Sequence, residues 1–504
     1  MTTLIDLIAR HPADAPAIGA PERAPLTYGG LRALIDATVA RLNALGVGRN
    51  DRVAIVLPNG PEMAAAFVAV AAGATTAPLN PAYRADEFRF YLEDLNAKAL
   101  VVQQGDDSPA IAVARELGVA ILELKPDTGA PAGTFALTGP KAGDLATGGA
   151  AQADDVALVL HTSGTTSRPK IVPLSHTNIA ASARNIGATL RLAPEDRCLN
   201  VMPLFHIHGL LAAVSASLAA GASVHCTPGF NAMRIFAWFD EVKPTWYTAV
   251  PTMHQAILAR AARNTEIVGR MKLRFIRSSS SSLPPPVMHA LEDLFKAPVI
   301  ESYGMTEAAH QMASNQLPPG TRKAGSVGVA AGPKVAIMDA GGAILPQGAT
   351  GEVVIRGDNV TKGYENNPQA NESAFTNGWF RTGDQGVLDA DGFLTITGRL
   401  KEIINRGGEK IAPLEVDNVL MEHPAVAQAV TFAMPHDKLG EDVAAAVVLR
   451  EGTQADEKAL RAFVAEHLAD FKVPRRIVVL YEIPKGATGK LQRIGLAEKL
   501  GLGA

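Results

Sequence analysis

The chain has 504 residues, a formal net charge of −3 and two cysteines. Its length exceeds one ordinary core, so two or more domains are expected, and the small net charge gives no reason to expect nucleic acid or an anionic membrane as a partner. Cys198 and Cys226 alone build neither a disulfide framework nor a zinc motif, which points to a reduced, cytoplasmic protein.

Taken in chain order, the N-terminal MTTLIDLIARHPADAPAIGA lacks the basic stretch, long apolar core and cleavage site of a signal peptide. The windows MAAAFVAVAAGATTAPL and LLAAVSASLAAGASV are too short or too interrupted for the roughly 20 apolar residues that span a bilayer, and are predicted to be buried helices. From residue 50 to about 340, strand-like runs (DRVAIVLP, AKALVVQ, DVALVLHT, RCLNVMPLF, WYTAVP, LRFIR) alternate with helical patterns. In SHTNIAASARNIGATLRL, for example, Ile179, Ala183, Ile186 and Leu190 share one face behind a cap at Ser175 or Thr177. This alternation predicts an α/β fold of layered subdomains. A Gly-rich zone from about 325 to 398 (KVAIMD, GEVVIRG, FLTITGR) predicts a smaller β-subdomain, and the pattern from Lys401 onward predicts a small α+β domain. The expected division is a large domain over 1–399 and a small one over 400–504. The C-terminal KLGLGA carries no peroxisomal or lipidation signal.

Two stretches carry chemistry. In LVLHTSGTTSRPKIVPLSH, small hydroxyl residues and Gly164 let backbone N–H groups approach an anion, while Arg168 and Lys170 supply charge, a combination suited to polyphosphate. It is not a P-loop, since strand-like residues rather than a helix follow Lys170, and a plain polar hairpin remains an equal alternative on these residues alone. The second is RFIRSSSSSLPPPVMHALEDLF, whose serines and prolines suit a flexible connector. Its flanks argue for a fixed loop: LRFI reads as a buried strand, and Pro284 to Pro286 suit a first helical turn before Val287, Leu291 and Leu294.

The loop HTSGTTSRPK resembles the phosphate loop of the adenylate-forming superfamily of acyl-CoA synthetases, luciferases and peptide-synthetase adenylation domains. MPLFHIHG, ESYGMTE, WFRTGD, GRLKEIINRGGEKI and PKGATGK follow in that family's order, so the resemblance covers nearly the whole chain. It implies two half-reactions at one site: a carboxylate attacks the α-phosphate of Mg-ATP to give an acyl-adenylate and pyrophosphate, and CoA then displaces AMP. Thr162, Ser163, Gly164, Thr165, Thr166 and Lys170 match the phosphate loop; Thr306 matches a phosphate contact and Glu307 the Mg²⁺ ligand. Glu301, Ser302, Tyr303, Gly304 and Met305 belong to the same nucleotide-binding motif, Asp384 and Arg399 match ribose contacts, and Lys490 matches the lysine that reaches the α-phosphate during adenylation. The resemblance also implies that the small domain rotates about Lys401, bringing Gly407, Gly408 and Glu409 to the pantetheine tunnel.

For the acid, His206 matches the histidine that gates the acyl site, with His208 and His310 close by in the motifs. Ser280, Ser281 and Ser282 stand where many relatives have SGGAPL, against adenine, with Ser278 and Ser280 toward the acid. Imidazoles, hydroxyls and the nearby Arg277 suit a small, doubly charged acid and would leave buried donors unmet beside a fatty chain. The local pattern is most similar to the oxalate–CoA ligases, although Ile171 replaces the glycine usual after the loop lysine and the serine run is more uniform than theirs. The expected partners are therefore the acid, ATP and CoA, with no nucleic acid or membrane, in a monomer or homodimer. The rival readings are a medium-chain or aryl acyl-CoA ligase, a peptide-synthetase adenylation domain and a nucleotide-sensing binding protein; Lys490, Glu307 and Thr166 all being present argues against the last.

Overall fold

Short apolar runs such as RVAIV and ALVVQ make parallel strands covered on both faces, as their lack of alternation requires. The computed structural model describes residues 2–162, 169–486 and 490–503. In it a seven-stranded sheet runs in the order Phe135–Thr138, Ala120–Pro126, Ala99–Gln103, Arg52–Val56, Thr75–Pro78, Val156–Thr162, Lys170–Ser175, parallel inside and antiparallel at both edges. A nine-stranded sheet holds Trp246–Ala249, Phe275–Ser278 and Val299–Met305 as parallel neighbours, with His310–Ser314 antiparallel beyond them.

Helices Pro61–Ala71 and His176–Thr189 touch strands of both sheets and share one core with them. The first is apolar all round, and every residue but Glu62 is buried, which is the pattern of a helix packed on both sides. The second begins at Ser175, whose hydroxyl accepts the Asn178 N–H in a capping box, so Ser175 rather than Thr177 is the cap. Further helices cover the outer faces of the two sheets.

The β-subdomain is antiparallel, built on Lys334–Met338, Thr350–Arg356, Trp379–Leu388 and Leu394–Arg399. The small domain sets helices Pro413–Glu422 and Glu457–His467 with strands Val426–His436, Gly440–Leu449 and Arg476–Leu480, as the pattern predicts. It meets the large domain through a shared apolar cluster and through Gln255, which donates to the Ala427 carbonyl at 3.1 Å.

Two expected elements come out differently. The strand expected over RCLNVMPLF stops at Asn200, whose side-chain oxygen accepts the Met202 N–H at 3.0 Å and turns the chain. In place of an ordinary buried helix over LLAAVSASLAAGASV, His208–Ser215 is π-helical and only Ala216–Ala219 is α-helical. Wide turns of this kind recur at functional sites, and this one starts at a candidate substrate residue.

Candidate active site

The strands that flank the polar run of HTSGTTSRPK pair antiparallel, with Thr162 opposite Lys170. Ser163, Gly164, Thr165, Thr166 and Arg168 lie outside the described residues. Beside these strands, the Lys170 Nζ stands 4.4 Å from the centroid of the Tyr364 ring, and the Tyr364 hydroxyl donates to Glu307 Oε1 at 2.9 Å. Thr306 and Glu307 begin a single 3₁₀ turn, fixed in place by the Thr361 N–H donating to the Glu307 carbonyl at 2.7 Å. Burial raises the Glu307 carboxyl above its ordinary value, opposed by the Tyr364 hydroxyl and the Lys170 charge. A cation alongside would favour its ionised form, so the residues present fit Mg²⁺, which keeps several waters and takes one or two carboxylates plus phosphates. Among the described residues no group of three or more His, Cys, Asp or Glu could hold a metal by itself.

A second cluster lies where the β-subdomain meets the small domain. Asp384 and Arg399 are cross-strand partners, with Arg399 Nε 3.4 Å from Asp384 Oδ1, and the Tyr303 hydroxyl donates to the other carboxylate oxygen. Burial raises the Asp384 carboxyl, against the pull of Arg399. Lys490 enters from the small domain: desolvation and then the Arg399 charge push its ammonium down to about 8, with Asp384 opposing. Its charge also lowers His206, His208 and His310.

The serine run leaves the carboxyl end of Phe275–Ser278, the place where open parallel sheets put ligands. Pro284 caps the helix Pro285–Phe295, with Val287, Leu291 and Phe295 buried and Leu294 partly so; the run is a loop held between a core strand and this helix. Ser278 and Ser279 are fully buried, and the Ser279 hydroxyl donates to the Ser302 carbonyl at 2.9 Å. Glu301 and Ser302 face the same interior. Glu301 Oε1 accepts the Leu283 N–H at 2.8 Å, and burial pushes the carboxyl up to about 8. Ser280 adopts φ 74°, a left-handed conformation that glycine takes without strain, and its hydroxyl lies 2.9 Å from His208 Nδ1; the Ser281 hydroxyl donates to the Ser280 carbonyl. Ser282 is half-buried.

The three histidines form one group. The His208 N–H donates to His206 Nδ1 at 3.2 Å, and the His208 and His310 rings are 5.1 Å apart. His208 Nε2 is 2.6 Å from the Thr248 hydroxyl. Burial pushes His206 down to about 3 and holds His208 and His310 well below the ordinary imidazole value, with neighbouring positive charges adding to the effect. All three are therefore neutral at physiological pH. His310 follows Ala309, and both are left-handed, at φ 93° and 46°. Gly304 lets them approach, since a Cβ there would sit 2.1 Å from the His310 carbonyl oxygen. Met305 ends the strand Val299–Met305, next to Thr306 and Glu307.

The hinge and tunnel candidates are exposed. Lys401 is exposed in the turn after Leu394–Arg399, and Gly407 and Gly408 make the left-handed tip of the hairpin that contains Glu409. Sequence reasoning missed Tyr364, which joins Lys170 to Glu307. It also missed Arg493, whose guanidinium reaches Asp417 at 2.8 Å and Glu402 at 3.3 Å and so ties the Lys490 segment to the turn beside Lys401.

The AMP-binding enzyme family matches residues 6–365, and the AMP-binding enzyme C-terminal domain matches residues 415–490. The chain belongs to the AMP-binding enzyme family. This AMP-binding enzyme is 46% identical to an oxalate–CoA ligase of Arabidopsis thaliana, over 98% of this chain and 97% of that one. It is 43% identical to an oxalate–CoA ligase of Saccharomyces cerevisiae, over 90% and 87%. Its activity is that of an AMP-forming acid–CoA ligase with ATP and CoA as substrates. Its fold matches ATP-bound MatB from Rhodopseudomonas palustris with a TM-score of 0.88 at 30% identity, covering 99% of both chains. The apo form of MatB matches with a TM-score of 0.79 at 29% identity, over 99% of this chain and 98% of that one. Among the described residues no helix is long and apolar enough to cross a membrane.

Proposed function

We propose that this acid–CoA ligase activates oxalate, forming oxalyl-adenylate and then oxalyl-CoA. The observation that carries the choice of acid is the group of neutral His206, His208 and His310 with the Ser280 hydroxyl at the end of the parallel strands. A medium-chain or aryl acid needs apolar walls there and offers this polar group no bonding partner, whereas each buried donor left unmet costs about 1–3 kcal/mol. The oxalate–CoA ligase activity of the two relatives points the same way.

In the first half-reaction one oxalate oxygen attacks the α-phosphorus of ATP, and the bond to the pyrophosphate oxygen breaks. Lys170, Thr306 and the residues of the HTSGTTSRPK motif, Thr166 among them, hold the β- and γ-phosphates, while Asp384 and Arg399 hold the ribose. Glu307 would hold the Mg²⁺ that arrives with ATP, and the ion would supply charge neutralisation for the phosphates. Lys490 places its ammonium between the carboxylate and the α-phosphate, orienting the two anions against their mutual repulsion. His206 closes the acyl end. In the second half-reaction the CoA thiol attacks the acyl carbon and AMP leaves. Lys490 has no task there, so the small domain, residues 400–504, turns about Lys401 and brings the Gly407–Glu409 hairpin to the acyl site. The higher TM-score against ATP-bound MatB than against its apo form supports reading the present arrangement as that of adenylation.

The purified enzyme, given ATP, Mg²⁺ and CoA with oxalate, malonate, acetate, hexanoate or coumarate in parallel, is expected to release pyrophosphate fastest with oxalate. A preference for hexanoate or coumarate would refute the assignment.

A further inference from the structure

Arg277 has no solvent exposure, and no carboxylate contacts it among the described residues. Its Nη1 lies 3.4 Å from His208 Nε2, its Nη2 lies 3.5 Å from His310 Nδ1 and 3.4 Å from Gln311 Oε1, and its Nε has no partner among the described residues. Gln311 is itself held in place, donating to the Thr189 hydroxyl and to the Ala331 carbonyl, both at 3.1 Å. Thr248 and Arg277 are in register on adjacent parallel strands, so Thr248 reaches the same imidazole nitrogen from the same row.

A buried charge without a counter-ion is costly, and a guanidinium can only donate hydrogen bonds. Both imidazole nitrogens facing it must therefore be acceptors. That puts the His208 proton on Nδ1, from which it is donated to the Ser280 oxygen, leaving the Ser280 hydroxyl hydrogen as a free donor. It puts the His310 proton on Nε2, again a donor. One buried cation thus sets two donors and supplies an uncompensated positive charge behind them.

The geometry points to Arg277 as the positioning residue that makes the acid site select a dianion: it fixes the tautomers of His208 and His310 and offsets the second carboxylate through them, without touching the substrate. This rests on the reading of the acid as a short dicarboxylate. The guanidinium has no exposure and contacts both imidazoles, so its effect passes through them.

The test compares oxalate with oxamate, the same shape with one carboxylate replaced by a neutral amide. The wild-type enzyme is expected to favour oxalate in kcat/KM by about 100-fold or more. Arg277→Met should cut the oxalate value by about 100-fold, mostly through KM, and oxamate by less than about 10-fold, with KM for ATP unchanged. Its acid limb for oxalate should move toward the ordinary imidazole value of about 6.5. Arg277→Lys, which keeps the charge but not the fork, should recover part of the oxalate preference. A folded Arg277→Met enzyme with the wild-type oxalate-to-oxamate ratio overturns the inference. If both variants fail to fold, competitive inhibition of the wild type decides, since equal affinity for oxalate and oxamate also overturns it. A wild-type enzyme that uses no short dicarboxylate would instead refute the proposed function, which separates the two failures.

Discussion

Lys490 gives the sharpest quantitative expectation. Its ammonium sits at about 8 in the free enzyme, lowered by desolvation and by Arg399. If, as proposed, the protonated form serves adenylation, activity is full below that value and is lost as pH rises through it. At one unit above, about one enzyme in ten still carries the charge, and kcat/KM for ATP should fall about tenfold for each further unit. The limb in kcat should lie at higher pH, because bound ATP and acid are anions that favour the ammonium. Lys490→Arg should remove the alkaline limb, since a guanidinium stays charged throughout the range, though with a lower plateau from its different shape. Lys490→Ala should lose roughly 3–4 kcal/mol of transition-state stabilisation, about 10²–10³-fold in pyrophosphate release. Thioester formation from presynthesised acyl-adenylate and CoA should be untouched. Pyrophosphate release at subsaturating ATP across the pH range measures the first effect, and a thioester assay measures the second. An alkaline limb that survives in Lys490→Arg, or full adenylation by Lys490→Ala, would refute the role given to this lysine.

Ser280→Gly should relieve about 1 kcal/mol of left-handed strain while removing the hydroxyl beside His208; thermal melting should hold or rise as KM for the acid increases about tenfold. Gly304→Ala places a methyl 2.1 Å from the His310 carbonyl oxygen, and should cost at least about 1–3 kcal/mol in denaturant unfolding while weakening the acid more than ATP. Arg493→Ala leaves Asp417 and Glu402 unpaired at 10% and 19% side-chain exposure, and should destabilise the small domain by about 3–5 kcal/mol in the same assay.

The layered α/β fold was legible because its signals are local and periodic. The Ser175 cap, the Pro284 helix start and the alternation of apolar runs each state one element without reference to the rest. The π-helix at His208–Ser215 was not, since its apolar sequence suits an α-helix equally, and the wide turn accompanies tertiary contact: Gly209 lies against the Pro203 carbonyl, where a Cβ would stand 2.4 Å away. Nor could sequence place Arg277. A strand residue alternates in or out, but what faces it depends on Thr248, His208 and His310, distant in the chain and joined only by sheet order and one crossing.

The conflicts between local preference and global structure concentrate at this end of the strands. Ser280, Ala309 and His310 all hold left-handed backbone that non-glycine residues disfavour, and among the described residues Arg277 is a buried cation with no carboxylate beside it and the Ser278 hydroxyl is buried with no hydrogen-bond partner. Taken alone, strained backbone and buried groups without partners each carry a folding cost. Each gains a purpose if a small anion completes the site, because the unpaired donors and the charge are then satisfied together. The run of five serines is therefore the part of the chain where folding gives way to recognition: Leu283 and Glu301 anchor its end in the core, while Ser280 spends backbone strain to present one hydroxyl.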